Sequence, residues 1–598
     1  MKIKVSEYIA EFLAANGIRH VFTVVGGGAM HLNDSLGHHH GLKCIYSHHE
    51  QASAIAAESY ARINNDLAAL CVTTGPGGTN AITGVVGAWL DSIPMLVISG
   101  QVRYDTTARS TGLDLRAMGD QEFDIVKAVS CMTKYADMIT DPQNIRYALE
   151  KAIYLAKAGR PGPCWLDIPL NVQGAYVDSN TLAGFEPPEA EKPDLSVEAG
   201  FIIERIKGSA RPVFYAGNGI RIAGAHKAFI RVAKKLNIPI VTTWNGIDAV
   251  ETDNTLYTGR GGIFGDRAGN FTVQNSDLIL SIGNRLSIRQ VGYSHASWAR
   301  EAFVIAVDVD PNELQKPLVR LDHTVCADAL DLLTAMDAAL PDKPLFTENG
   351  WLTRCSAWKR DYPVVLPKHY EDKTANVYCF INELSRRLPD GSITVVGNGS
   401  ACVVGSHAYV IGKDSRFIIN SAIASMGYDL PAAIGACVAS GGKETICITG
   451  DGSIQMNIQE LQTIIHHRFP IKVFVINNGG YHSIRQTQKN FFGEPLVGVG
   501  YDSGDLSFPD MQKLAAAYGF PYYSCRSNND FSVLDELLAL NSPLICEIFV
   551  SREQLFEPKS ATKRLSNGTL VSAPLENLAP FLSDEELRKN MIIPLWED

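Results

Sequence analysis

The chain lacks any uninterrupted apolar run of the roughly 20 residues that a membrane span needs, any long basic stretch, and any Cys-x-x-Cys pair or Cys/His cluster. The first absence leaves no membrane segment to expect. The second, with 53 Lys and Arg against 64 Asp and Glu and a net charge of −11, removes the electrostatic footprint of a nucleic-acid or anionic-membrane binder. The third argues against a zinc site or a disulfide scaffold. The 12 cysteines are scattered through mostly apolar surroundings, as at Cys71, Cys447 and Cys546, and read as buried reduced thiols of a cytoplasmic protein. In MKIKVSEYIAEFLAANGIRHVF the apolar positions are broken by Glu7, Glu11 and Asn16, the pattern of an amphipathic first helix rather than a signal segment. What remains is an ordinary globular composition, 46% hydrophobic and 20% charged, in 598 residues, too long for one core and enough for about three or four domains.

The most informative stretch is 450–478, GDGSIQMNIQELQTIIHHRFPIKVFVINN. Ile458, Leu461, Ile464 and Ile465 recur at helical spacing. KVFVI, ended by Asn-Asn-Gly-Gly, reads as a buried parallel strand. Turn, helix, strand and turn bring Asp451 and Asn478 to the carboxyl ends of neighbouring strands, where open α/β sheets bind ligands. One carboxylate and one amide oxygen suit a hard divalent cation that takes its other oxygens from water and phosphates. Gly452 and Ser453 open the helix with N–H groups available to an anion. The segment therefore predicts a magnesium–diphosphate site.

Strand-then-glycine units and polar stretches divide the rest. Residues 1–178 alternate helix and strand (LAALCVTT, MLVISG, CWLDIP). The Pro/Glu-rich stretch at 185–196 reads as a linker. Four strand–turn units, PVFYAGNGI, IPIVTTWNG, SDLILSIGNRL and FVIAVDVD, predict a parallel sheet in a central domain over 195–342. A third α/β domain over 370–552 carries the magnesium site, and the tail 553–598 is expected to be irregular, with little core. The fold class is α/β, three doubly wound parallel-sheet domains.

Asp-Gly-Ser followed 27 positions later by the second Asn of an Asn-Asn pair resembles the diphosphate fingerprint of thiamine-diphosphate (ThDP) enzymes. HHEQASAIAAESYAR (48–62) and GPGGTNAITGVVGAWLDSIPMLVISGQ (75–101) resemble their cofactor-activating segments. On these motifs the chain resembles the acetolactate synthase/pyruvate oxidase-like family over residues 1–550. The resemblance implies a pyrimidine domain, a central domain and a diphosphate domain, in that order. It makes Glu50 the acid that bonds N1′ of the aminopyrimidine and drives the 4′-imine that deprotonates C2, Met426 the wedge beneath the cofactor, and Gln121 a group facing the reacting carbon. Cofactor contacts are implied for Gly26, Gly27, Pro76, Asn80, Gln101, Asn398, Gly399, Ser400, Gly450, Asp451, Gly452, Ser453, Asn478, Gly480 and Tyr481. The metal ligands would be Asp451, Asn478 and Gly480. Glu50 and the metal site come from different subunits in the family, implying a homodimer or a dimer of dimers.

The resemblance is imperfect where it touches substrate. Asp120 replaces the aromatic residue expected before Gln121, and Val25 the proline of the first turn. Ser483, Arg485 and Thr487 stand where acetolactate synthases carry apolar residues and a tryptophan. Arg485, Thr487 and Gln488 therefore suggest an acceptor wall suited to a larger, hydroxylated or anionic carbonyl compound, such as a keto-sugar nucleotide. The chain also resembles the surface-sugar acyltransferase subgroup that makes branched sugars such as yersiniose. A decarboxylating transfer of a two-carbon unit, with pyruvate as donor, is the leading expectation. Acetolactate synthase proper, a decarboxylase or C–C hydrolase, and a non-catalytic ThDP-binding subunit remain alternatives. Gly217, Asn218, Gly219, Thr243, Asn245, Gly283, Arg285 and Asp308 fall where relatives hold FAD. The pair after Arg285 is Ser287-Ile288 instead of acidic, and the same turns occur in relatives with an empty central domain.

Overall fold

The computed structural model describes residues 2–189, 193–564 and 570–596; residues 190–192 of the expected linker and 565–569 of the tail lie outside them. The apolar runs form three six-stranded sheets, each parallel throughout and buried between helices, as strands read from near-continuous Val/Ile/Leu runs should be. Numbered within each sheet by chain order, the N-terminal strands (His20–Thr23, Lys43–Tyr46, Ala68–Val72, Met95–Gln101, Tyr135–Met138, Pro163–Pro169) lie 2-1-3-4-6-5. The C-terminal strands (Ile393–Val396, Arg416–Ile418, Thr445–Gly450, Ile471–Asn477, Tyr522–Cys525, Leu544–Phe549) repeat that order. The central sheet differs. Its strands (Pro212–Ala216, Ile240–Thr242, Tyr257–Arg260, Leu278–Ile282, Phe303–Asp308, His323–Cys326) lie 3-2-1-4-5-6, the arrangement of dinucleotide-binding sheets, with the crevice where the order reverses.

The N- and C-terminal domains share one apolar core. Helix Glu50–Asn64 is built from small residues and runs between helices Pro76–Asp91 and Asp429–Ala439. Contact is backbone to backbone: a Cβ on Gly435 would lie 2.0 Å from the Ala56 carbonyl oxygen, and one on Gly84 2.5 Å from Ala54 Cβ. Within this seam Arg62 pairs with Asp91 at 2.6 Å and with Glu58, whose other oxygen accepts from the Tyr428 hydroxyl at 2.8 Å.

The central domain is tied to the C-terminal one by ion pairing. Buried Asp248 accepts from Arg221 Nε and Arg416 Nε, both at 2.8 Å, and from the Phe417 N–H at 3.1 Å. Burial pushes this carboxyl up, but the two guanidiniums override it and hold it at about 2. A depressed folded-state value contributes stability that is present above the unfolded value near 4 and is lost as pH falls from there towards 2. Asp248→Asn takes the carboxylate from two half-buried arginines and is expected to cost about 2–3 kcal/mol at neutral pH. It should also flatten the stability profile between pH 4 and 2. Urea midpoints at pH 7 and pH 3 report both, and a variant with the parent's midpoints would remove the clasp from the account. From the same domain, Arg260 donates to the carbonyls of Ser406, His407 and Tyr409 at 2.8, 2.7 and 2.6 Å. It thereby caps helix Ser400–Ala408 at the end away from Ser400, where a cation complements the dipole.

The tail departs from expectation. Leu575, Leu578 and Leu587 enter a core cluster with Trp351 and Trp358 of helix Gly350–Asp361 and with Val213, Tyr215 and Phe271 of the central domain. Buried Glu576 accepts from Arg300 at 3.0 Å. Asn590, at the end of helix Asp584–Asn590, bonds Trp358 Nε1 at 2.8 Å and the Tyr362 hydroxyl at 2.6 Å. The apolar residues are too sparse to read as core in the sequence, yet they close the central domain's outer face.

Candidate active site

Strands Thr445–Gly450 and Ile471–Asn477 pair in parallel, with Gly450 opposite Ile476, so the two turns that follow emerge together. Asp451 accepts from the Gly452 N–H at 3.0 Å and the Gly480 N–H at 2.9 Å. Burial pushes its carboxyl up to about 7, against the pull of the Gly480, Gly452 and Gly479 amides. Gly480, at φ +132°, presents its N–H from a conformation open only to glycine. Asn478 donates Nδ2 to Ser400 Oγ at 3.0 Å, which fixes the amide, while its Oδ1 is buried with no partner among the described residues. A desolvated carboxylate beside an orphaned amide oxygen is an incomplete coordination set, and it fits a hard cation. Tyr481 packs its ring against Gly452, where a Cβ would come within 2.4 Å.

The other C-terminal residues are placed around this turn. Gly399, at φ +102°, precedes Ser400 at the start of the Arg260-capped helix. Asn398 donates to the Ala424 carbonyl at 2.7 Å, so it braces the segment leading to Met426. Met426 is half-buried and joins no core cluster, unlike a methionine used as core filler.

In the N-terminal domain Glu50 opens helix Glu50–Asn64, with His49 as N-cap. Its carboxylate is half-buried and accepts from Asn80 Nδ2 at 3.0 Å, giving Asn80 the role of a Glu50 holder. Pro76 begins the helix that carries Asn80. Gly26 donates its N–H to Asn33 Oδ1 at 3.2 Å and packs on Thr73, whereas the Cα of Gly27 faces open space. Gln121 is exposed, at φ +62°, and its carbonyl sits over the Thr74-Gly75 turn, accepting from the Thr74 hydroxyl at 3.3 Å.

Two sequence expectations are corrected. Gln101 is 1% exposed, and its amide is saturated internally. Its Oε1 accepts from Thr74 Oγ1 and the Val102 N–H, while Nε2 donates to the Phe123 carbonyl and Asp167, so nothing is left for a cofactor. Arg485 is also 1% exposed. It faces Asp502 at 2.6 Å and donates to the Gly479 carbonyl at 3.0 Å, bracing the corner beside Asp451 instead of lining an acceptor channel. Gln488 bonds both ways to the Val497 backbone. Thr487 is exposed, with its hydroxyl turned back to the Ser483 carbonyl.

At the switch point of the central sheet lies a cavity of about 710 Å³. Asn218, Gly219, Thr243, Asn245, Gly283, Arg285 and Asp308 line it. Gly217 sits behind, where a Cβ would strike the Gly283 carbonyl at 2.0 Å. Arg285 pairs with Glu313 at 2.9 Å, and burial raises the Asp308 carboxyl. Arg289, which the sequence reading passed over, also lines the cavity and stacks its guanidinium on Trp244 at 4.6 Å, with no hydrogen-bond or ion-pair partner for its side chain among the described residues. An unpaired guanidinium facing a cavity is a ready carboxylate or phosphate ligand.

Family matches fall on each of the three sheets. The thiamine pyrophosphate enzyme N-terminal TPP binding domain matches residues 3–128, the central domain 200–336 and the C-terminal TPP binding domain 397–548. The acetolactate synthase large subunit of Cyanidium caldarium is 30% identical over 572 residues, 92% of this chain and 94% of its own. The acetolactate synthase isozyme 2 large subunit of Escherichia coli K12 is 30% identical over 555 residues, 91% and 95% of the two chains. The large subunit from Lactococcus lactis is 30% identical over 557 residues, 92% and 93%.

Proposed function

Because the chain belongs to the thiamine pyrophosphate enzyme family, with acetolactate synthase-like relatives along nearly its whole length, we propose that it decarboxylates pyruvate at a ThDP–Mg²⁺ centre and joins the two-carbon unit to a second 2-keto acid. Asn478 Oδ1, buried without a partner among the described residues, carries the reading, since with the buried Asp451 carboxyl at the end of the adjacent strand it leaves a coordination set that a hard cation would complete. Asp451, Asn478 and Gly480 would hold the cation and Ser453 the diphosphate. When bound, the cofactor supplies the electron sink for decarboxylation. Glu50, held by Asn80, stands at a helix start where it can share a proton with the cofactor ring. We assign FAD to the central cavity on its volume, its switch-point position and the glycine turns beneath it, and a homodimer as the smallest active unit, in the cytoplasm.

Withdrawal of Arg485 into its Asp502 pair removes the main argument for a large anionic acceptor, and Arg289, at the edge of the FAD cavity and near enough to Cys402 of helix Ser400–Ala408 to pull on its thiol, is the carboxylate ligand offered in its place. One observation keeps the larger acceptor, a keto-sugar nucleotide, as a second reading: Thr487 is small and exposed on the helix after Asn478. Incubation with pyruvate, ThDP and Mg²⁺ separates these cases. Carbon dioxide with acetolactate is the expected result. Carbon dioxide with acetaldehyde alone would make the protein a simple decarboxylase, decarboxylation without self-ligation but with added keto-sugars would restore the second reading, and no decarboxylation would leave a binding subunit. Arg289→Ala should raise the acceptor KM about tenfold or more while sparing decarboxylation, whereas Arg485→Ala should lower stability and both half-reactions together.

A further inference from the structure

We propose that Asn457 is a positioning residue that locks the Met426 segment and the Glu50 segment to the diphosphate turn. The proposal rests on the cofactor reading above and deepens it. Asn457 ends the 3-10 turn Ile454–Asn457 that follows directly on Asp451–Ser453, and it is 1% exposed. Its Nδ2 donates to the Gly427 carbonyl at 2.7 Å and to Gln51 Oε1 at 3.1 Å. Its Oδ1 accepts from Gln459 Nε2 at 3.1 Å. A main-chain carbonyl is only an acceptor, so Gly427 determines which end of the amide faces it.

The Gly427 peptide is thereby clamped on both sides. Its N–H donates to Ser453 Oγ at 2.9 Å, and Ser453 in turn donates to Asp429 at 2.6 Å. Gly427 stands at φ +74°, and a Cβ there would lie 2.7 Å from Met456 Cβ and 3.0 Å from Asn457 Nδ2. The residue before it is Met426, and Gln51 follows Glu50. One buried amide, four residues beyond Ser453, thus fixes the neighbour of Met426 at this chain's own diphosphate turn and the neighbour of Glu50, which in the proposed homodimer would serve the partner subunit's turn, so the lock ties the two sites together. Placement errors near 1 Å cost on the order of 10²-fold in rate, so such a lock bears directly on turnover.

Only a side chain that offers two N–H donors satisfies both acceptors. The isosteric Asn457→Asp would point a carboxylate at two oxygens, and Gln51→Met removes one partner at a half-buried site. The full-length variants are compared in three ways: amide hydrogen exchange of the segment 423–430 in cofactor-free protein, affinity for Mg²⁺–ThDP, and C2 proton exchange of the bound cofactor at saturation. Asn457→Asp is expected to lose protection at 423–430, to keep cofactor affinity near the parent's, and to slow C2 exchange on the order of 10²-fold. Gln51→Met should move the same way by less, and it carries the test if Asn457→Asp fails to fold. Parent-like C2 exchange at saturation, or a loss abolished by more cofactor, would overturn the proposal. Unchanged protection at 423–430 would do the same even in the absence of cofactor. If the parent itself binds no ThDP, the family reading fails instead, and the exchange experiment on cofactor-free protein still judges the clamp.

Discussion

Glu50→Gln should bind Mg²⁺–ThDP nearly as tightly as the parent and lose roughly 10²–10⁴-fold of kcat, the usual contribution of a positioned acid–base group. Binding is spared because Glu50 lies away from the diphosphate turn, and the glutamine is isosteric. Its carboxamide can still accept from Asn80, now 3.0 Å from Oε2, and can still start helix Glu50–Asn64 behind the His49 cap. What the amide cannot do is exchange a proton with a ring nitrogen. Steady-state kcat beside a calorimetric Kd separates the two quantities, and near-parental turnover would mean that the proton relay runs through another residue.

The second large effect has the opposite signature. Asp451→Ala and Asn478→Ala each remove an oxygen from the turn where a buried carboxylate and an unpartnered amide oxygen meet. Removing a group that merely orients a metal ligand typically costs 10–100-fold in affinity, and removing a ligand should cost at least about 10²-fold for Mg²⁺–ThDP. Without metal the order inverts for Asp451→Asn. A desolvated carboxylate lacking a cation is a burden on the fold, so the metal-free variant should melt no lower than the parent, while the parent alone gains melting temperature when Mg²⁺–ThDP is added. Parental affinity in both alanine variants would show that the cation site lies elsewhere.

Local patterns in the sequence carried the sheets and the Asp451–Asn478 turn, because a buried strand and the turn after it are contiguous in the chain. The failures share a cause. Gln101 and Arg485 looked like exposed site groups because their partners are remote or unmarked: Asp167 reaches Gln101 from the neighbouring strand, 66 residues further along the chain, and Asp502 meets Arg485 only after the loop beyond its helix has folded back. Nothing in the succession of central strands foretells the order 3-2-1-4-5-6, which depends on where each crossover lands. Leu575, Leu578 and Leu587 are spaced too irregularly for a helical or strand face and become core only against Trp351 and Trp358. Asn457 lay within the most informative motif and passed unremarked, since an asparagine in a polar turn carries no sign of the acceptors that will surround it.

The seam at Gly435 has a mechanical meaning. A helix whose backbone rests on its neighbour's carbonyls, with no room for a methyl group between Gly435 and Ala56, can neither roll nor slide without collision, since close-packed interiors shift between discrete arrangements rather than deforming smoothly. The two outer domains of one chain therefore travel as a single block, and any rearrangement on binding is expected outside that seam, with the limb around 482–505 the first place to look. There Ile484, Phe491, Phe492 and Val497 stand exposed, and four glycines, Gly493, Gly498, Gly500 and Gly504, hold positive φ.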